Sequence, residues 1–225
     1  MHIDIITLFP EMFTGVFGES IIKRAVENQI LQMRFTQLRD FAFDKHRQVD
    51  DSPFGGGAGM VLKPEPVYRA VRDVLSKSDN VARKVIITDP SGAVFTQAKA
   101  KELAALDQII FVCGHYEGFD ARIYDLADEL ISIGDYVLTG GELPAMVIVD
   151  AVARMLPNVL GSAESATTDS FFDGLLGFPQ YTRPRDFEGK LVPDVLLSGN
   201  HAEIKKWRTA QALTLTRNRR PDLIK

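Results

Sequence analysis

Three stretches of this 225-residue chain place glycine beside polar side chains at spacings that suit a small ligand. The longest, SIGDYVLTGGELPAM from Ser132 to Met146, runs from a β-branched strand end through Gly134, Gly140 and Gly141 into an apolar helix. Glycine lets the main chain approach a ligand closely and adopt positive φ, so bare N–H and C=O groups become available for recognition. A tight strand-to-helix turn would ask for the same residues. The second stretch is Gly114-His115-Tyr116-Glu117-Gly118 and the third Asp89-Pro90-Ser91-Gly92, each directly after an apolar run. A fourth, SPFGGGAGMV from Ser52 to Val61, holds four glycines between Gly55 and Gly59 but matches neither a Walker loop nor a dinucleotide fingerprint. It reads as a hinge or as part of a ligand loop.

The rest of the chain must position these loops. His2–Phe9, Leu31–Leu38, Lys84–Thr88, Gln108–Cys113 and Glu129–Ile133 read as strands. Two short helices are expected within Glu11–Gln29. Helical patterns also cover Pro64–Ser76, Thr96–Leu106, Phe119–Ala127 and Leu143–Leu156, with Arg39–Asp51 as a loop. Strand alternating with helix predicts an α/β fold, a parallel sheet with helices on both faces. The three loops then converge at the carboxyl ends of the strands, where such sheets bind ligands. Arg154, on the mostly apolar last of these helices, needs a partner, a snorkelled position or a bond to Asp150 one turn back.

Gly161–Ser170 is small and polar and marks a boundary. The expected organisation is residues 1–160 as one domain, 161–172 as a flexible linker and 173–225 as a small helical domain. Its last helix starts at a capping-box-like Asn200/Glu203 pair and runs from His201 to about Arg217. From Tyr181 onward ten Lys or Arg face five Asp or Glu, a net +5 against −9 for the remainder. A basic tail on an acidic body points to a polyanionic partner or to a solvated helix face. Cys113 is the sole cysteine, and no run reaches the ~18 apolar residues of a membrane span. A cytoplasmic, soluble protein is expected. There is no His-Glu-x-x-His, no Gly-x-Ser-x-Gly and no metal-ligand spacing among the four histidines, so metal hydrolysis and serine-type acyl transfer are poor fits.

Taken in order, SPFGGGAGM, GHYEGFDAR, SIGDYVLTGGELPAM, ATTDSF, YTRP and VLLSGNHAEIKKWR resemble the bacterial tRNA (guanine-N1)-methyltransferases of the knotted (SPOUT) superfamily, nearly end to end. The resemblance implies a trefoil knot forming the cofactor site in the first domain, a rare exception to unthreaded connections. It implies S-adenosylmethionine held by Pro90, Gly114, Tyr116, Glu117, Gly118, Ile133, Gly134, Asp135, Tyr136, Val137, Leu138, Gly140, Gly141 and Pro144. It further implies methylation of N1 of the guanosine just 3′ of the anticodon, with Asp169 as general base and Arg154 stabilising charge on guanine O6. Read alone, Asp169 would be a helix N-cap. The family is homodimeric, with each site built from two chains. His46, Arg183, Arg185, Lys205, Lys206 and Arg208, with Arg217, Arg219 and Arg220, are the expected tRNA contacts. Glu117 could accept from ribose hydroxyls or offset the sulfonium, and a divalent ion as helper is left open. The competing readings are a silent tRNA-docking module and a ribose-directed relative of the same superfamily.

Overall fold

The computed structural model describes residues 1–77, 81–161 and 166–224, and the chain divides into two compact units, Met1–Gly161 and Ser162–Lys225. In the first unit, β1 (His2–Thr7), β2 (Gln32–Gln37), β5 (Arg83–Val94), β6 (Gln108–Val112) and β7 (Glu129–Ser132) form one sheet in the order β2-β1-β6-β5-β7. Every pairing is parallel. The period-two alternation of the strands decides which side chains meet which helices. Ile3, Ile5, Ile109 and Phe111 face a core shared with α1 (Met12–Phe17), α2 (Ser20–Glu27), α4 (Gln97–Leu103) and α5 (Glu142–Ala153). Ile6, Ile110 and Val112 face a second core with α3 (Pro64–Ser76). Strands buried on both faces explain their continuous Ile/Val runs.

Several expected elements are shorter or differently built. Thr96–Leu106 contracts to α4, with the Thr96 hydroxyl capping the Lys99 N–H at 3.3 Å. Phe119–Ala127 is a 3-10 helix at Ala121–Leu126. Its start is fixed by the Asp120 carboxylate, which accepts from the Arg122 N–H at 3.0 Å and guanidinium at 2.7 Å. The Arg39–Asp51 loop includes most of a 3-10 turn at Leu38–Phe41 and the strand β3 (Asp50–Asp51), which pairs with β4 (Val61–Leu62). Asp89–Gly92 was expected to end its strand, yet β5 continues to Val94. Thr88 and Ala93 both register against Ile131, so the four residues between them loop out. Gly92 permits the return, since a Cβ there would lie 2.5 Å from Ile131 N.

The second unit contains a hairpin of β8 (Asp186–Phe187) and β9 (Lys190–Leu191), a 3-10 turn at Asp194–Leu197 and the long helix α6 (His201–Arg219). The Asn200 side chain caps α6 by accepting from Glu203 N at 3.3 Å. The expected box is half made, because the Glu203 carboxylate bonds Lys206 instead. Among the described residues of this unit only Thr216 is buried. Part of the expected linker, 162–165, lies outside the described residues.

Candidate functional site

At the excursion within β5 and the ends of β6 and β7, the loops enclose a cavity of about 450 Å³. That lies within the roughly 300–1,000 Å³ of small-molecule sites. Its walls come from Thr88–Ser91, Gly114–Phe119, Tyr124, Ile131–Gly134, Tyr136–Gly141 and Pro144. The loops are tied to each other by main chain. Gly141 N donates to Gly114 O at 2.8 Å, and the Thr88 hydroxyl donates to Gly141 O at 3.2 Å.

The glycines serve two distinct needs. At Gly141 a Cβ would sit 2.4 Å from Thr88 Oγ1, 2.8 Å from Cys113 Cα and 2.9 Å from Gly114 N, so close approach alone excludes a side chain. At Gly118 nothing lies within 4 Å, but φ is +106°, a conformation L side chains rarely adopt. Tyr116 holds φ +61° without being glycine, which marks local strain at the cavity wall. Its ring packs edge-on to His115 at 5.0 Å, and His115 rests against Phe9 at 4.8 Å.

Charge in the cavity is one-sided. Asp89 and Glu117 line it, and among the described residues no Lys or Arg does, although Arg39 donates to the Oη of the lining Tyr116 at 3.4 Å. Asp89 Oδ1 accepts from Ser91 N at 2.9 Å and Ser91 Oγ at 2.6 Å, while Oδ2 accepts from Tyr124 Oη at 2.7 Å. Burial alone would raise the Asp89 carboxyl, but the Ser91 hydroxyl and N–H and then the Tyr124 hydroxyl outweigh it and hold it below the usual range. Burial, followed by the bond to Asp89, pushes the Tyr124 phenol up to about 12, so it stays a donor. Behind the floor, burial and then the charge of Glu142 push the Cys113 thiol well up, which makes it unreactive at neutral pH. Glu142 is itself buried at the start of α5 and accepts from Thr7 Oγ1 at 2.7 Å.

Of the residues expected around a cofactor, Pro90, Gly114, Tyr116, Glu117, Gly118, Ile133, Gly134, Tyr136, Val137, Leu138, Gly140, Gly141 and Pro144 line the cavity, and Asp135 does not. Thr88, Asp89, Ser91, His115, Phe119, Tyr124, Ile131, Ser132 and Thr139 also line it, outside that set. Asp89 and Ser91 carried a signal, the turn after an apolar strand. Tyr124 carried none, because topology alone brings its 3-10 helix to that wall. The SPFGGGAGMV stretch braces the site from outside. Met60 O accepts from Glu117 N at 2.9 Å, and a Cβ at Gly59 would strike the Glu117 side chain at 2.4 Å.

The remaining candidates are carried by other elements of the two units. Arg154 caps the carboxyl end of α5, half-buried, its N–H on Asp150 O at 3.2 Å. It follows cavity-lining Pro144 by ten residues, about 15 Å along the helix at ~1.5 Å per residue. Along α5, Leu143, Val147 and Asp150 form an exposed stripe that ends at Arg154. On α1, Met12 and Val16 are exposed too. His46 is exposed, its N–H on Asp44 Oδ1 at 2.9 Å. In the second unit Asp169 is exposed on a turn, with Phe172 N donating to its carbonyl at 3.4 Å. Arg183 precedes the cis Pro184, Arg185 pairs with Asp194 at 3.0 Å and Lys206 with Glu203 at 2.8 Å. Lys205 is exposed, and Arg208 lies 4.7 Å over the Phe178 ring.

The whole chain, residues 1–225, matches the family model described as tRNA (Guanine-1)-methyltransferase TrmD. It is 58% identical over its full length to a Staphylococcus aureus (strain JH9) protein named tRNA (guanine-N(1)-)-methyltransferase, covering 91% of that protein. Proteins of the same name from Staphylococcus carnosus (strain TM300) and Shouchella clausii (strain KSM-K16) are each 56% identical over all 225 residues, with 91% and 92% of their lengths covered.

Proposed function

The chain belongs to the tRNA (guanine-1)-methyltransferase family, and from that premise we propose that it methylates N1 of the guanosine immediately 3′ of the tRNA anticodon. The observation that carries the reading is a cavity beside three parallel strands, with no Lys or Arg among its described lining and walled by thirteen of the fourteen residues that the family resemblance assigns to the donor. The walls fit S-adenosylmethionine. Ile133, Leu138 and Pro144 offer apolar surface to a flat neutral adenine, the close-packed glycines expose main chain, and the two carboxylates suit a cationic ligand. When bound, S-adenosylmethionine supplies an electrophilic methyl group, and the chain's own residues do the rest.

Guanine N1 carries a proton that must leave before its lone pair can attack, so a base is required. Asp169 takes that proton. The resulting charge spreads to O6, where the Arg154 guanidinium opposes it by fixed electrostatics. The target base is turned out of the anticodon loop to reach the pocket. Lys205, Lys206, Arg208, Arg183, Arg185 and His46 hold phosphates, which position the RNA without reading its sequence. In this reading the cavity belongs to a knotted domain over 1–160, joined through 161–172 to a tRNA-binding domain over 173–225.

Three observations support a homodimer with composite sites. Arg154 is about 15 Å of helix from the cavity-lining Pro144 of its own chain. The α5 stripe and the neighbouring α1 leave Leu143, Val147, Met12 and Val16 exposed, an apolar face that a second copy would cover. Residues 166–224 bury no apolar side chain among those described, so that unit needs an external surface to stabilise it. The test is Asp169→Ala. Methyl transfer to a tRNA transcript should fall below detection while S-adenosylmethionine affinity stays within about twofold, a fraction of 1 kcal/mol. Turnover near the wild-type rate would remove Asp169 as the base.

A further inference from the structure

The cavity holds two carboxylates, and their surroundings differ in a way that divides their work. A carboxylate offers about four lone-pair positions. At Asp89 three are occupied by Ser91 N, Ser91 Oγ and Tyr124 Oη, at 2.9, 2.6 and 2.7 Å. Asp89 therefore retains its full charge in a fixed place but has almost no acceptor capacity left. Glu117 is the reverse case. It is exposed, and among the described residues no donor bonds its carboxylate, so its lone pairs are available.

A sulfonium is a cation without a single N–H or O–H. It gains nothing from free lone pairs and everything from a stationary opposite charge in a partly desolvated wall. Ribose hydroxyls ask for the opposite, an acceptor with room for a donor. We infer that Asp89 is the fixed counter-charge to the sulfonium of the methyl donor, and that it sets the preference for the charged donor over the neutral thioether product. This rests on reading the cavity as the donor site. Tyr124 and Ser91 act through Asp89 as positioning residues. With its phenol held up to about 12, Tyr124 remains a donor across the working pH range. The consequence for turnover is direct. Loss of the methyl group neutralises the ligand and cancels its attraction to Asp89, which favours departure of the product.

Isothermal titration of the full-length protein with S-adenosylmethionine and with S-adenosylhomocysteine tests this without any turnover. Asp89→Asn keeps an acceptor oxygen for Ser91 and reverses the bond to Tyr124, the amide NH2 donating to Oη, while it removes the charge. The affinity for S-adenosylmethionine should drop about five- to tenfold, the effect of one unit charge some 5 Å away in a partly screened wall. Affinity for S-adenosylhomocysteine should change less than about twofold, which also shows that the cavity is intact. Glu117→Gln should leave the ratio of the two affinities unchanged. Should Asp89→Asn fail to fold, Tyr124→Phe frees the carboxylate to rotate and should lower the ratio about two- to threefold. Equal loss of both ligands, an unchanged ratio, or a ratio that collapses only in Glu117→Gln overturns the assignment. A wild-type protein that binds neither ligand overturns the donor-site reading beneath it.

Discussion

Replacing Gly141 by alanine adds one methyl group at the point where the three loops meet. The new carbon would lie 2.4 Å from Thr88 Oγ1, 2.8 Å from Cys113 Cα and 2.9 Å from Gly114 N, and two of these neighbours are main chain. Gly141 has φ −82°, so alanine meets no conformational objection and the whole effect is steric. Relief requires separating the Gly141 loop from the Gly114 loop, which stretches the 2.8 Å bond between Gly141 N and Gly114 O. Overpacking of this kind costs about 1–3 kcal/mol. At roughly 2–4 °C per kcal/mol for a chain of this size, the melting temperature should fall by about 2–12 °C. Donor affinity should fall further, because Gly114 and Thr88 are themselves cavity walls. Losing two backbone hydrogen bonds at ~1 kcal/mol each implies more than a tenfold weaker Kd for S-adenosylmethionine.

Thermal unfolding and isothermal titration would measure both quantities, and a second variant separates the causes. Thr88→Ala removes only one of the three contacts, so combined with Gly141→Ala it should restore little. If the double variant recovered wild-type melting temperature and affinity, main-chain proximity would not be the reason for glycine here. Gly118→Ala makes the contrasting case, with no neighbour to strike but φ +106° to maintain. It should cost about 1–2 kcal/mol of backbone strain and leave the loop-to-loop bonds in place.

At a donor concentration below the wild-type Kd, a co-expressed heterodimer of one Gly141→Ala chain and one Asp169→Ala chain should show about half the wild-type methyl transfer, because one composite site stays whole; if each chain used its own Asp169, less than about a tenth would remain. Val147→Asp places two carboxylates in the exposed α5 stripe and should convert the protein to monomers in sedimentation velocity, with loss of activity. Acid should unfold the first unit through the cluster of Lys84, Lys99, Glu102 and Glu129. Hydrogen bonds from Lys84 and then Lys99 hold Glu102 at about 2 instead of 4.5. Glu129, which burial alone would raise, is lowered by the same two lysines. Both folded values lie below the unfolded ones, so this stabilisation is complete above about pH 4.5 and lost as the pH falls towards 2. Melting curves across that range should show Glu102→Gln flattening the acid slope; an unchanged slope would mean the cluster is idle.

The strands were legible because burial on both sheet faces leaves an unbroken apolar run such as QIIFVC, which few other environments select. The cavity was legible for a related reason, since each of those runs ends in glycine. Element ends were less so. Asp89–Gly92 carries every turn signal yet remains within a strand, because β7 recaptures the chain on the far side of the excursion. Tyr124 and the bracing of Glu117 by Met60 and Gly59 depend on contacts between distant segments, and no local pattern encodes them. The basic excess after Tyr181 was visible by counting, but not that Lys206, Arg185 and Arg208 are already engaged with Glu203, Asp194 and Phe178.

The absence of any Lys or Arg among the described residues of the cavity wall gives the proposed division between two chains a physical reason. Methylation of N1 needs a cation near O6, yet a guanidinium some 6 Å from a sulfonium would oppose donor binding by about 1 kcal/mol in the same partly screened wall. A single pocket that carried both would bind its donor roughly fivefold more weakly. Placing Arg154 about 15 Å along α5 from its own cavity removes that penalty from the donor complex of one chain. The anionic wall then holds the donor, and the guanidinium meets its charge only where the deprotonated base lies between them. On this ground Arg154→Ala should slow methyl transfer by orders of magnitude without weakening donor binding; a variant that binds S-adenosylmethionine several-fold more weakly would show that Arg154 touches the donor site directly.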